Sequence, residues 1–163
     1  MFDTLIEVDG IDGESQDATY PKAIGVQWWE WGMTQPATFG LGSGSGPSRT
    51  GRPEYSALTF GYSFEKSVPL MCWALDSGMV IETVKLHQRR AGGKDAVQMV
   101  DILLKKALVV KVDVGSHPSG ANELPMVTVS MMYRSIDVEY RAQDAQGAGG
   151  AATAFTGDLY DDD

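Results

Sequence analysis

Alternation of apolar and polar residues with a period of two is the feature that most constrains this chain, because it recurs along most of its length. Successive side chains of a β-strand point to opposite faces, so this alternation predicts strands. Two apolar faces are expected on this basis: Leu58, Phe60, Tyr62 and Phe64 in one segment, and Leu108, Val110, Val112 and Val114 in another. The chain is therefore predicted to be mainly β.

One predicted strand changes phase partway along its length. Val127, Val129 and Met131 occupy odd positions, whereas Ile136 and Val138 occupy even positions. Apolar side chains can stay on the core face through such a switch only if a residue is inserted or the chain turns. We expect a β-bulge or a sharp bend near Arg134–Ser135, as occurs where a sheet curls into a barrel.

A single segment has helical rather than strand periodicity, and we predict a helix over about 67–77. Ser67 is the expected N-cap, Pro69 falls in the first turn where its missing N–H costs little, and Gly78 suits the left-handed residue after the helix. The expected buried positions are Leu70, Trp73 and Ala74, together with the thiol of Cys72. The predicted fold is a β-barrel of two antiparallel sheets with one flanking α-helix, forming a single domain over 1–163.

The length and the net charge of the chain limit the classes of function that it can have. A chain of 163 residues with 43% apolar side chains is long enough for a hydrophobic core. The net charge is −9, and acidic side chains concentrate in residues 1–30 and 137–163, which would repel a nucleic acid backbone. We therefore expect no nucleic acid partner, and a flexible acidic end at residues 161–163. Because the sequence has no run of about eighteen apolar residues and does not start with a basic segment followed by an apolar one, we expect no membrane insertion and no signal peptide.

A glycine-rich stretch, "TFGLGSGSGPSRTGRPEY", raises the question of a phosphate-binding loop. Such a loop needs a helix directly after it, whereas here Pro47 and Pro53 lead into a predicted strand. We predict instead a long connection between two strands over about 37–53, because loops of this length are usually functional or disordered.

The residue types used in catalysis and metal binding are sparse. The chain has one cysteine and two histidines, His87 and His117, without the spacing of a zinc site. The sequence indicates no catalytic, metal-binding or cofactor-binding residues, and the protein is not expected to be an enzyme.

Three tryptophans stand in the segment "VQWWEWGM". Alternation places Trp29 and Trp31 on one face of a strand and Trp28 on the other. Aromatic residues dominate cores and protein interfaces, so packing in the core or between subunits is the favoured interpretation. A monomeric carbohydrate-binding β-sandwich that uses these rings as a stacking platform is the alternative.

An ordered set of segments resembles a known family. The set comprises "IEVDGIDGES", "WEWGMTQ", the glycine-rich stretch, "FEKSVPLM", "RRAGG", "ELPMVTVSMMYRSIDVEY" and "FTGDLY". Over nearly its whole length the chain resembles the haemolysin-coregulated proteins, Hcp, which form the tube of bacterial type VI secretion systems.

The resemblance implies a homohexameric ring that stacks into a tube related to phage tail tubes. It also implies contacts with the spike protein at the tube tip, with contractile sheath and baseplate proteins, and with small effectors in the lumen. Assembly would occur in the cytoplasm, followed by secretion without a signal peptide. The glycine-rich loop would contact the next ring through Leu41, Ser43, Ser45, Arg49 and Arg52, while Trp28, Trp29 and Trp31 would be interface aromatics.

Overall fold

The computed structural model describes residues 2–39, 46–49, 51–92, 95–116, 124–144 and 149–160. Thirteen strands and one helix occupy these ranges. In chain order they are β1 (Phe2–Val8), β2 (Ile24–Gly25), β3 (Trp28–Glu30), β4 (Met33–Thr34), β5 (Ala37–Phe39), β6 (Pro47–Arg49), β7 (Glu54–Tyr55), β8 (Leu58–Ser63), α1 (Ser67–Ser77), β9 (Ile81–Gly92), β10 (Asp95–Gly115), β11 (Met126–Met132), β12 (Ser135–Gln143) and β13 (Gly149–Asp158).

The long strand β10 joins two antiparallel layers. Its first part pairs with β9 and β12, in a layer of order β2-β1-β9-β10-β12-β13. Its second part pairs with β11, which continues through β8 to β3. Among the described strands β13 pairs only with β12, so the sheet is not closed into the predicted barrel.

The predicted bend at Arg134–Ser135 is confirmed. β11 ends at Met132, and β12 begins at Ser135 against the other part of β10. At this corner the Arg134 N–H donates to the carbonyls of Lys105 and Lys106, at 3.0 and 3.2 Å. Lys106 has φ +53°, a left-handed conformation that is uncommon for a residue with a side chain. The phase switch in the sequence thus marks the place where the chain passes from one layer to the other.

Apolar side chains from both layers and from α1 form one core. Ile6, Phe60, Leu86, Leu104 and Val129 are completely buried in it. The apolar face predicted in β10 is wrong in part, because Leu108, Val110 and Val114 are exposed and only Val112 packs against the core. Ala107 and Val109 are buried instead. The register of β10 against β11 shifts between Val109 and Lys111, so a single period of two cannot describe this strand.

The predicted helix bounds are confirmed, since α1 spans Ser67–Ser77. Gly78 ends it with φ +67°, and the next N–H, that of Met79, donates to Ala74 O at 3.2 Å. Lys66, not Ser67, is the N-cap, and it makes no capping hydrogen bond through its side chain. Ser67 is buried and donates its hydroxyl to Glu65 Oε1 at 2.6 Å.

The predicted apolar face of α1 is wrong in part. Val68, Met71 and Ala74 are buried against the sheets, whereas Leu70 and Trp73 are exposed, as is Cys72. Two overlapping stripes in this helix satisfy the spacing of three and four residues, so periodicity alone could not choose between them.

Candidate assembly surfaces

The described residues at both ends of the glycine-rich stretch form paired strands. β4 pairs with β7, and farther out β5 pairs with β6, so the ends of the predicted 37–53 loop form strands. We call residues 33–55 the arm. Arg49 lies in β6, Arg52 is exposed between β6 and β7, and Leu41, Ser43 and Ser45 lie outside the described residues.

The root of the arm is clamped by three side chains. Trp31 Nε1 donates to the Tyr133 hydroxyl at 2.5 Å, and that hydroxyl donates to the Ser56 carbonyl at 2.7 Å. The Ser56 hydroxyl accepts from the Gly32 N–H at 2.8 Å and donates to the Gly32 carbonyl at 2.9 Å. Burial raises the pKa of Tyr133, so the phenol keeps its donated proton. The arm therefore leaves the core from a fixed base.

The three tryptophans do not form one platform. Trp29 Nε1 donates to Gln88 Oε1 at 2.8 Å, and both Trp29 and Trp31 pack against the core. Trp28 lies on the opposite face, where its indole covers Gly61 so closely that a Cβ there would be 2.0 Å from Nε1. Rings that point to opposite faces cannot stack on one sugar, so the structure does not favour the carbohydrate-binding alternative.

An apolar face becomes uncovered toward the edge of the first layer. Along β12 Ile136 is buried, Val138 is half-buried and Tyr140 is exposed, although all three share one face. Phe155 of β13 pairs with Val138 and is 42% exposed. Of the described strands only β12 pairs with β13, so the other edge of β13 lies beside these exposed aromatic rings.

The opposite face of the same layer carries a polar cluster that sequence reasoning only partly anticipated. Lys85, His87 and Arg89 alternate along β9, a pattern that predicts a solvent-facing or lumen-facing row. His87 and Arg89 are instead buried, because residues 12–23 of the same chain cover them. The pairing of β1 with β9 gives a signal for this cluster. Asp3 lies opposite Arg89 and Glu7 lies opposite Lys85, so each pair joins opposite charges.

No group of three or more metal-ligating side chains occurs within the described ranges. His117 lies outside them. Within the described ranges, no helix is long and apolar enough to cross a membrane.

An apolar groove lies at the corner between the layers, with a volume of about 660 Å³. Its lining includes Val80, Leu108 and Tyr160, together with the charged residues Lys106 and Arg134. Lys106 binds both carboxylate oxygens of Glu82, at 2.8 and 2.7 Å. The groove is thus a second exposed apolar surface, distinct in its residues from that around Phe155.

The sequence matches a family model described as "Type VI secretion system effector, Hcp" over residues 5–140. It is 34% identical to Protein hcp1 of Pseudomonas aeruginosa over 146 residues, which cover 90% of this chain and 87% of that protein.

Solved structures agree with the sequence match. A structure described as that of a type six secretion system protein superposes with a TM-score of 0.87 at 25% identity, covering 98% of this chain and 96% of that one. Hcp1 from Salmonella typhimurium shares the fold, with a TM-score of 0.74 at 23% identity over 97% of this chain and 94% of its own. The chain belongs to the Hcp family of type VI secretion system proteins.

Proposed function

We propose that this chain works as a structural tube subunit of a type VI secretion system by assembling into six-membered rings that stack end to end. Membership of the Hcp family supports the tube role. The observation that carries self-assembly is the open edge of β13 beside the exposed aromatic rings of Tyr140 and Phe155.

Of the strands that the structure describes, only β12 pairs with this ten-residue strand, and an edge without a neighbouring strand offers its N–H and C=O groups to any other strand. Natural proteins cover or disrupt such edges, and closed rotational symmetry covers every copy at once. A ring contact joins two different surfaces of the subunit, and this chain exposes a second apolar surface at the Val80–Tyr160 groove. The subunit thus has the two kinds of surface that a closed ring requires.

The arm supports a separate contact between stacked rings. Its root is fixed by Tyr133 and Trp31, while Arg52 lies exposed farther along the arm. With a net charge of −9, each subunit offers many carboxylates to such a cation. In this proposal Leu41, Ser43, Ser45, Arg49 and Arg52 contact the neighbouring ring.

The wider role follows from the family. The tube would assemble in the cytoplasm, contact spike, sheath and baseplate proteins, carry small effectors in its lumen and leave the cell with them. No catalytic activity is part of this proposal.

Native mass spectrometry of the purified protein tests the ring. The expected species has six times the subunit mass of 17.6 kDa, and electron microscopy should show rings. A protein that stays monomeric at high concentration would contradict the proposal.

Shortening the arm tests the stacking contact. Deleting residues 42–50 should leave rings intact while reducing the fraction of stacked rings, because loop length affects closure entropy only slowly and the contact itself is lost. A full-length Arg49→Ala/Arg52→Ala variant separates charge from length and should also reduce stacking. If the shortened protein forms no hexamers, the assignment of the arm to stacking is wrong.

A further inference from the structure

Residues 12–23 cross the outer face of the β1-β9-β10 layer, and we call them the strap. The strap folds back on itself, with Gly13 N–H donating to Lys22 O at 2.8 Å and Ser15 N–H to Ala23 O at 3.0 Å. A Cβ at position 13 would lie 2.3 Å from the Ala23 carbonyl oxygen, so only glycine fits there. The strap is therefore a tight local fold laid on the sheet.

One ring-on-ring contact latches the strap to the sheet. The Tyr20 ring stacks on the His87 imidazole with centroids 4.2 Å apart and planes 9° from parallel. The Arg89 guanidinium lies 5.6 Å from the same Tyr20 ring. An aromatic face attracts cations, so this stack is stronger when His87 carries a charge.

The hydrogen bonds of His87 require that charge. Its Nδ1 lies 2.7 Å from Asp101 Oδ1, and its Nε2 lies 2.8 Å from Glu7 Oε2. The residue as a whole is only 9% exposed. A neutral imidazole has one N–H and one lone pair, so it could satisfy only one of two carboxylates. The geometry is that of an imidazolium held between Glu7 on β1 and Asp101 on β10.

A second latch beside it does not titrate near neutral pH. Arg89 binds Asp3, and it binds Asp17 of the strap at 2.5 and 3.2 Å. The side-chain hydrogen bond from Arg89 lowers the pKa of Asp17 to about 2, against the opposing effect of burial. This pair keeps its charges over the whole range in which His87 changes its own.

The groups that face His87 come from all elements packed against it. They are Glu7 on β1, Asp101 and the neutral Gln98 on β10, Tyr20 and Asp17 on the strap, and Lys85 and Arg89 on β9 itself. Gln98 Nε2 donates to Asp101 Oδ1 at 2.5 Å, which orients that carboxylate. This set holds three carboxylates, Glu7, Asp101 and Asp17, against the two cations Lys85 and Arg89, so the charges balance when His87 is protonated.

We propose that residues 12–23 form a pH-responsive strap, closed over the sheet by the charged form of His87 and loosened around Tyr20 when His87 loses its proton. Deprotonation directs a nitrogen lone pair at a carboxylate oxygen and weakens the stack on Tyr20. The Arg89–Asp17 pair then still holds the turn of the strap that precedes Tyr20, but no other part of the strap. The outer face of β1 and β9, including buried Leu5, becomes accessible.

The sign of the effect follows from the balance at His87. Burial lowers its pKa, but the hydrogen bonds to Asp101 and Glu7 and the negative charges of these two carboxylates together raise it by more, so its pKa lies above the ordinary 6.5. A raised pKa in the closed state means that the stabilisation is fully present below pH 6.5 and is lost as pH rises through that raised value. Each unit of pKa difference between closed and open strap weakens closure about tenfold.

Hydrogen exchange and imidazole NMR on the full-length protein test the strap. After correction for the intrinsic pH dependence of exchange, protection of residues 12–23 should fall as pH rises through the measured pKa of His87, while β8 and β11 stay protected. His117→Gln is the matched control, because it removes the other histidine of the chain and should leave this behaviour unchanged. His87→Gln should show weak protection of the strap at all pH values.

The Asp101→Asn variant distinguishes two roles of His87: holding the strap closed through its charge, or only packing within the structure. It should lower the pKa of His87 and move the midpoint of strap opening by the same amount. The proposal is overturned if His87 titrates at or below 6.5, if strap protection does not change with pH, or if the two midpoints in Asp101→Asn move independently. These measurements are made whether or not rings form, so failure of the strap and failure of the tube proposal are distinguishable.

Discussion

Phe155→Lys should convert the assembled protein into folded monomers. Phe155 lies on the apolar face at the open edge of β13 and is 42% exposed in the isolated subunit, so lysine is tolerated there before assembly. In a ring the ammonium would be buried without a partner, at a cost of about 3 kcal/mol or more per contact. That cost weakens each contact about 100-fold, and native mass spectrometry would detect the loss of the six-membered species.

Ala152→Lys is the matched control. Ala152 is an exposed residue of the same strand, but it pairs with Arg141 and points to the opposite face. Rings should persist in this variant, and circular dichroism should show that both variants are folded. If the Phe155→Lys variant still forms rings, the face around Tyr140 and Phe155 is not part of the contact between subunits.

Phe60→Ala should destabilise the subunit by about 3–5 kcal/mol in urea-induced unfolding. Phe60 is completely buried on β8, where it pairs with Trp29 of β3 and Val129 of β11 and stacks on Tyr62 with centroids 5.8 Å apart. Truncation leaves a cavity between strands that cannot close because the ladder holds both neighbours in place.

Phe64→Ala distinguishes burial from residue type. The alternation in the sequence puts Phe64 on the same face as Phe60, but Phe64 follows the end of β8 and is 40% exposed. The Phe64→Ala substitution should lower the free energy of unfolding by less than about 1 kcal/mol. The variants must be compared at one protein concentration, because assembly contributes to apparent stability. Equal losses in both variants would contradict the assignment of the core.

The bend at Arg134–Ser135 shows what local pattern can predict. A change of phase from odd to even positions has one geometric meaning, and the structure places a layer change there. The helix was equally predictable, since a proline in the first turn and Gly78 after the end restrict the backbone locally. Both depend only on neighbours in sequence.

The strap shows what local pattern leaves undetermined. His87 and Arg89 read as an exposed polar row, yet residues 12–23, far away in sequence, bury them. The predicted burial of Leu70 and Trp73 in α1, and the predicted apolar face of β10, failed for the same reason. The partners that cover one face of an element are not identified by periodicity.

The sequence by itself determined the mainly β character, the bounds of the single predicted helix, the corner of the fold and the family, because each is encoded by residue types at fixed short spacings or by their order along the chain. Only the tertiary structure decided which face of each element is covered, that β13 pairs with no described strand except β12, and that Glu7, Asp101 and Tyr20 meet at His87. Charge pairing joins residues as much as 86 positions apart, and the free energy of such contacts depends on distances that only the folded chain sets.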